Sequence, residues 1–253
     1  MRLGFIGAGN MASALARGIG EPVLVSDLDA ERARSLAAQV GGEAVGSNTE
    51  LAQRADALVL AHKPHQLEEV AAELAGSVTT VVSILAATPT ARIEASYPGA
   101  AVYRFIPNIP VDVQRGVLCY VPGAHARPDQ ERELLALMER AGSVFRLDDE
   151  ALIEPAMAVM SCGPAFWALL AEAFADAGAA HGLDREQAAR LTAETMAGTA
   201  AWLDAFGQDT AGLRARVATP GGATERGLKA MEAAGARGAC AAAVDAVMEG
   251  IER

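Results

Sequence analysis

A chain of 253 residues, 51% of them apolar, can bury one large core or two modest ones. Its formal net charge of -11, without any basic run, argues against nucleic acid as a partner, because phosphate backbones need clustered Lys and Arg. The three cysteines, Cys119, Cys162 and Cys240, are odd in number and far apart, so neither a disulfide framework nor a zinc site is expected and a reducing, cytoplasmic compartment is.

Leu3 to Ile6 reads as a buried strand, Met11 to Gly20 as a helix and Val23 to Val25 as a second strand. The first two runs are joined by Gly7-Ala8-Gly9-Asn10, which leads into Met11-Ala12 at the start of the helix. A strand that ends in Gly-x-Gly and turns at once into a helix aims backbone N–H groups at an anion, where the helix dipole favours negative charge. Gly7 permits the tight turn, Gly9 lets a pyrophosphate reach the backbone, and Ala12 lets the helix pack closely on the strand. Asp27 closes the second strand about twenty residues after Gly7, where an acid accepts hydrogen bonds from an adenosine ribose. A dinucleotide site over Gly7, Ala8, Gly9, Asn10, Met11, Ser26 and Asp27 is predicted. The apolar start is not expected to be a signal peptide, since Gly7, Gly9 and Asn10 interrupt it.

Further along, Ala30 to Gln39 reads as a helix, Ala57 to Leu60 as a strand, Gln66 to Leu74 as a helix, Val78 to Leu85 as a strand, Thr90 to Ser96 as a helix and Ala101 to Ile106 as a strand. Strands alternating with helices of this length predict an α/β domain over residues 1–148, a parallel sheet with helices on both faces. Ligands of such sheets collect at the strand C-termini, which singles out Asn48, Lys63, Ala86 and the turn Pro107-Asn108-Ile109-Pro110. His62 and His65 lie three apart, but no acid or third ligand completes a set, so no metal site is expected.

After the acidic junction Asp148-Asp149-Glu150 the strand runs cease. Ala151 to Ala180, Asp184 to Ala205, Gly221 to Glu232 and Arg237 to Glu252 read as helices of a second, all-helical domain, residues 149–253. Cys162 to Ala180 is nearly long enough to span a bilayer, but Glu172 and Asp176 lie one turn apart within it and Ala dominates, so a buried soluble helix is expected, with no membrane partner. That helix is apolar around nearly its whole circumference and needs covering on all sides, which predicts an interlocked homo-oligomer. Thr219-Pro220-Gly221-Gly222-Ala223-Thr224 stands before a helix, so Gly221, Gly222 and Thr224 are expected to offer N–H groups and a hydroxyl to a carboxylate. A simple N-cap with turn glycines reads equally well from the residues alone.

Taken together, Phe5-Ile6-Gly7-Ala8-Gly9-Asn10-Met11-Ala12, His62-Lys63-Pro64, Pro107-Asn108-Ile109-Pro110, Gly163-Pro164-Ala165-Phe166, Ala175-Asp176-Ala177-Gly178, His181-Gly182-Leu183 and the Thr219–Thr224 loop resemble the pyrroline-5-carboxylate reductases over essentially the full chain. The resemblance implies an N-terminal Rossmann domain and an all-helical C-terminal dimerisation domain, in a homodimer or a decamer of five dimers. It also implies NADPH- or NADH-dependent reduction of 1-pyrroline-5-carboxylate to L-proline. Thr219 and Thr224 would be the catalytic residues, and Gly221, Gly222, Asn108 and Cys162 would bind substrate. Lys63, Asn48 and Ala86 would join the cofactor site.

Two departures stand out. The family's Ser-Gly-Ser-Gly-Pro-Ala-Tyr is here Met160-Ser161-Cys162-Gly163-Pro164-Ala165-Phe166, and Ile109 replaces a threonine in the Pro-Asn-Thr-Pro turn. A more apolar site leaves open another cyclic imine or small imino acid as substrate, or a non-catalytic paralogue that keeps the nucleotide fold. Asp27 favours NADH while the family commonly uses NADPH and Ser26 with Arg32 could seat a 2′-phosphate, so both cofactors are expected to be accepted.

Overall fold

A computed structural model describes residues 1–74 and 76–251, which divide into two compact units, one from Met1 to Pro164 and one from Ala165 onward. The first unit runs β1 (Leu3–Ile6), α1 (Asn10–Ile19), β2 (Leu24–Ser26), α2 (Ala30–Gln39), β3 (Glu43–Ala44), α3 (Asn48–Arg54) and β4 (Ala57–Leu60). It continues through α4 (Leu67–Glu73), β5 (Thr80–Ser83), α5 (Thr90–Ser96), β6 (Ala101–Pro107), β7 (Gly116–Pro122), α6 (Pro128–Met138) and β8 (Gly142–Arg146). The strands form one sheet in the order β3-β2-β1-β4-β5-β6-β7-β8.

Helices cover both faces, and the residue alternation along each strand shows why. Phe5, Val25, Val59 and Tyr103 join Leu15 of α1, Leu36 of α2 and Leu134 of α6 in one core. Their neighbours Ile6, Leu24, Leu58 and Val102 join Leu51 of α3, Leu67 of α4 and Ile93 of α5 in the other. With both faces buried, the strands read as unbroken apolar runs rather than as alternating ones. The chain changes face at β1 and β4, which are paired in parallel with Ile6 opposite Leu60, so a crevice opens at their C-terminal ends.

The sheet is not wholly parallel, which corrects the expectation. β6 and β7 pair antiparallel, with Phe105 opposite Tyr120. Only residues 108–115 separate them, and a parallel crossover needs a dozen residues or more. The connection is a 3-10 turn, Ile109–Val113, closed by Gln114 at φ 58°. Pattern reading also missed β3, α3, β7, α6 and β8, and it ended β2 one residue early.

Beyond β8 come a 3-10 turn (Glu150–Leu152), α7 (Ile153–Ala156) and a π-helical turn (Met157–Ser161), so the helix expected from Ala151 forms with a 3-10 start and a π-helical turn ahead of α8 (Gly163–Ala180). Arg104 of β6, only 2% exposed, pairs with Glu150 at 2.6 Å and Glu154 at 3.1 Å. Ile153 packs with Ile106 and Val121. These contacts carry the first unit past the change of pattern at residue 148, on to Pro164.

The second unit contains most of α8 and then α9 (Arg185–Ala205), α10 (Thr210–Val217), α11 (Ala223–Ala233) and α12 (Ala236–Ile251). α10 was not foreseen, and Glu252, the expected end of the last helix, lies outside the described residues. Among the described residues of this unit only Ala175 and Ala188 are buried, while Trp167, Leu169, Phe174, Leu191 and Phe206 stand exposed. A helical layer with that much uncovered apolar surface is one side of an interface.

Candidate active site

The glycine loop occupies the crevice between β1 and β4. Gly7 takes φ 106°, its N–H donates to the Ser26 carbonyl at 2.8 Å, and a Cβ there would lie 2.7 Å from the Ala61 carbonyl. Only glycine fits such a position. Gly9 differs: it is the N-cap of α1 with ordinary extended backbone, and a Cβ added to it would meet nothing within 4 Å. Because Gly9 has no side chain, no side chain caps the helix, and the exposed Asn10 and half-buried Met11 open its first turn toward that space. Ala8 and Ala12 are buried beneath. An open cradle at an uncapped ten-residue helix fits a dinucleotide pyrophosphate.

Around the loop the polar groups are already engaged. Asp27 Oδ2 accepts the Ala8 N–H at 2.7 Å and its Oδ1 accepts the Asp29 N–H at 2.8 Å. Ser26, 6% exposed, donates its hydroxyl to Asn48 Oδ1 at 2.9 Å, and Asn48 donates in turn to Glu73 at 2.7 Å. At the end of β4, His62 Nδ1 faces the Lys63 carbonyl at 2.9 Å, while its Nε2 is buried without a partner among the described residues. Burial pushes the His62 pKa down, which favours the neutral ring with the proton on Nδ1 and an acceptor at Nε2. Lys63 is exposed, its N–H donating to Gln66 Oε1 at 3.0 Å. Ala86 is exposed in the turn after β5, beside Ala87 at φ 48°.

Asn108 is engaged within the fold on both sides of its amide. It is 5% exposed, its Oδ1 accepts the Val117 N–H at 2.8 Å and its Nδ2 donates to the Met160 carbonyl at 2.9 Å. Through these two bonds its amide ties the β6–β7 connection to the π-helical turn. Ser161 adds a second tie, donating to the Pro107 carbonyl at 3.2 Å. The turn closes with the Cys162 N–H on the Met157 carbonyl at 3.1 Å, leaving the Cys162 side chain half-buried at its end. Met160 and Ser161 carry these contacts through a carbonyl and a hydroxyl that pattern reading did not single out.

The Thr219–Thr224 loop lies in the second unit. The Gly222 N–H donates to the Thr219 carbonyl at 2.9 Å across Pro220 and Gly221, and Gly221 takes φ 73°. Pro followed by a positive-φ glycine is the signature of a type II turn. The Gly221 N–H is also taken, by Glu225 Oε2 at 2.8 Å. Lys229, and after it this N–H, holds the Glu225 carboxyl below its usual range. Neither glycine N–H is therefore the free donor expected for a carboxylate. What the loop does offer is the start of α11, where no side chain caps the helix and Ala223 and Thr224 are exposed.

Comparison with known proteins covers both halves of the chain. Residues 2–87 match the family described as NADP oxidoreductase coenzyme F420-dependent, and residues 150–253 match pyrroline-5-carboxylate reductase dimerisation. The chain is 37% identical to a pyrroline-5-carboxylate reductase of Pseudomonas aeruginosa over 92% of its length and 89% of the relative's. It is 34% identical to that of a Synechocystis species over 97% of its length and 95% of the relative's. Among solved structures, the pyrroline-5-carboxylate reductase of Coxiella burnetii superposes with a TM-score of 0.91 at 28% identity, covering 99% of this chain and 97% of that one. The Plasmodium falciparum pyrroline carboxylate reductase with NADP bound gives 0.87 at 25% identity, with the same coverage.

Proposed function

The chain belongs to the pyrroline-5-carboxylate reductase family, and we propose that it reduces 1-pyrroline-5-carboxylate to L-proline with NADPH or NADH, the last step of proline biosynthesis. The observation that carries this reading is a match running through both halves of the chain, from the glycine loop to the dimerisation domain.

Gly7, Ala8, Gly9, Asn10 and Met11 hold the pyrophosphate, with Asp27 at the adenosine ribose and Ser26, Asn48, Lys63 and Ala86 around the crevice. When bound, the nicotinamide supplies the hydride for the C=N carbon. An iminium is already electrophilic, so the protein's contribution is mainly to position it. Thr224, with the start of α11 and with Thr219 beside it, receives the substrate carboxylate. Gly221 and Gly222 shape that turn, and the Asn108 amide holds the π-helical segment that ends at Cys162, the other residue proposed to bind substrate.

The exposed apolar faces of α8 and α9 meet a second copy in a homodimer, or in a decamer of five such dimers. We divide the chain by role at residue 148, although residues 149–164 pack with the first unit. Three free cysteines support a cytoplasmic location. Glu150–Ala180 is long and apolar enough to cross a membrane, but Glu150 and Glu154 at its start pair with Arg104, which supports a soluble role.

The test is oxidation of NADPH and of NADH followed by absorbance on addition of 1-pyrroline-5-carboxylate, with proline as the measured product. Turnover of another cyclic imine alone would move the assignment to a different imino acid, the reading that the Cys162 departure leaves open. No turnover of any imine, with dinucleotide still bound, would indicate a non-catalytic paralogue.

A further inference from the structure

We infer that Asp27 makes the nucleotide site select NADH over NADPH. The inference rests on the dinucleotide site proposed above and concerns the one position where the two cofactors differ, the adenosine 2′ oxygen. Asp27 stands at the C-terminal end of β2, where the ribose of a dinucleotide on the glycine loop is recognised.

Its carboxylate is fixed by two backbone donors, Ala8 N–H at 2.7 Å and Asp29 N–H at 2.8 Å. Swinging it aside would strip both of their partner. The groups that could welcome a phosphate are engaged elsewhere. The Ser26 hydroxyl is spent on Asn48 and nearly buried, and Arg32 is turned onto Asp29 at 3.4 Å. From Asp27 to Arg32 the segment carries three carboxylates and one guanidinium. A 2′-hydroxyl would donate to this fixed acceptor, whereas a 2′-phosphate brings about two negative charges against it.

Calorimetric titration of the full-length protein with NADH, NADPH, AMP and adenosine 2′,5′-bisphosphate tests this without relying on turnover. Wild type should bind NADH about a hundredfold more tightly than NADPH, with the two fragments ranked in the same order. Asp27→Asn keeps an acceptor for the Ala8 N–H but removes the charge, and should shrink the ratio to about tenfold or less. Asp27→Ser should do the same and also weaken NADH. Equal or tighter binding of NADPH by wild type, or a ratio that Asp27→Asn leaves unmoved, would overturn the role of Asp27 and leave the site standing. Failure of wild type to bind either dinucleotide would overturn the site and this inference with it.

Discussion

Alanine at Gly9 and alanine at Gly7 should separate binding from folding. At Gly9 the backbone has φ −72° and ψ 179°, and the new Cβ finds open space. The exchange replaces a tolerated N-cap residue by a poor one, at about 0.5 to 1.5 kcal/mol. Restricting the unfolded chain offsets about 0.4 to 1 kcal/mol of that. The net is within about 1 kcal/mol, so Tm should move by no more than about 2 to 4 °C in a chain of this size. Binding is another matter, because the added methyl stands where the pyrophosphate meets the first turn of α1. Losing two charge-assisted hydrogen bonds of about 1.5 to 3 kcal/mol each raises Kd for NADH roughly a hundred- to ten-thousandfold. Gly7→Ala combines a left-handed φ with a contact of 2.7 Å on the Ala61 carbonyl. It should cost about 2 to 6 kcal/mol of stability. Thermal denaturation at one fixed protomer concentration and calorimetric titration with NADH measure both quantities. If Gly9→Ala bound NADH within about threefold of wild type, or fell in Tm as far as Gly7→Ala, the cradle would not be the pyrophosphate site.

Thr224→Ala should lower kcat/KM for the imine roughly ten- to a hundredfold, the worth of one hydrogen bond to a charged group, while NADH affinity stays level; the reverse pattern would make the loop a cofactor element. Asn108→Ala leaves the Val117 N–H and Met160 carbonyl without these partners and should cost about 2 to 3 kcal/mol in denaturant titration; an unchanged midpoint would deny it the scaffold role. For Glu150, burial opposes the charge, but hydrogen bonds from Thr90 and Arg104 outweigh it and hold the pKa below its ordinary 4.5. A depressed carboxylate stabilises above its unfolded pKa and loses that contribution as pH falls through the folded one. Glu150→Gln should therefore be less stable than wild type at neutral pH, with the deficit closing as pH falls below 4.5; a deficit constant with pH would refute the linkage.

The elements that sequence placed well are the ones whose causes are local. α2 fell on Ala30–Gln39 because Asp29 caps it through the Glu31 and Arg32 N–H groups and Ala33, Leu36 and Ala37 face the core. The glycine loop was legible because its motif lies within one strand-turn-helix unit, although the contact that demands glycine at position 7 comes from Ala61 after β4. β7 was lost among prolines: Pro107 and Pro122 stand at the ends of the paired strands, and proline weakens a strand reading. β8 is a partly exposed edge strand with little apolar pattern to read. Pairing direction was readable from the short 108–115 connection, and so was the type II turn from Pro220-Gly221. Neither Asn108 nor Arg104 could be placed from sequence, because their partners lie across the fold at Met160, Glu150 and Glu154.

The departures around the π-helical turn do not weigh equally. Position 160 anchors the segment through its backbone carbonyl, so a methionine in place of the family's serine keeps the Asn108 contact. Position 161 gains an anchor, since Ser161 replaces the family's glycine and reaches the Pro107 carbonyl. Cys162 is different: its N–H is used within the turn, but its half-buried side chain carries a thiol where the resemblance places a hydroxyl beside the substrate. A thiol is a weaker donor and acceptor than a hydroxyl. Restoring one neutral hydrogen bond contributes about 0.5 to 1.5 kcal/mol, so Cys162→Ser should raise kcat/KM for 1-pyrroline-5-carboxylate about two- to tenfold. Met160→Ser should leave it level. Steady-state kinetics on the two variants decides the matter: a gain from Met160→Ser with none from Cys162→Ser would move the substrate-facing position to residue 160 and require the turn to present its side chains the other way round.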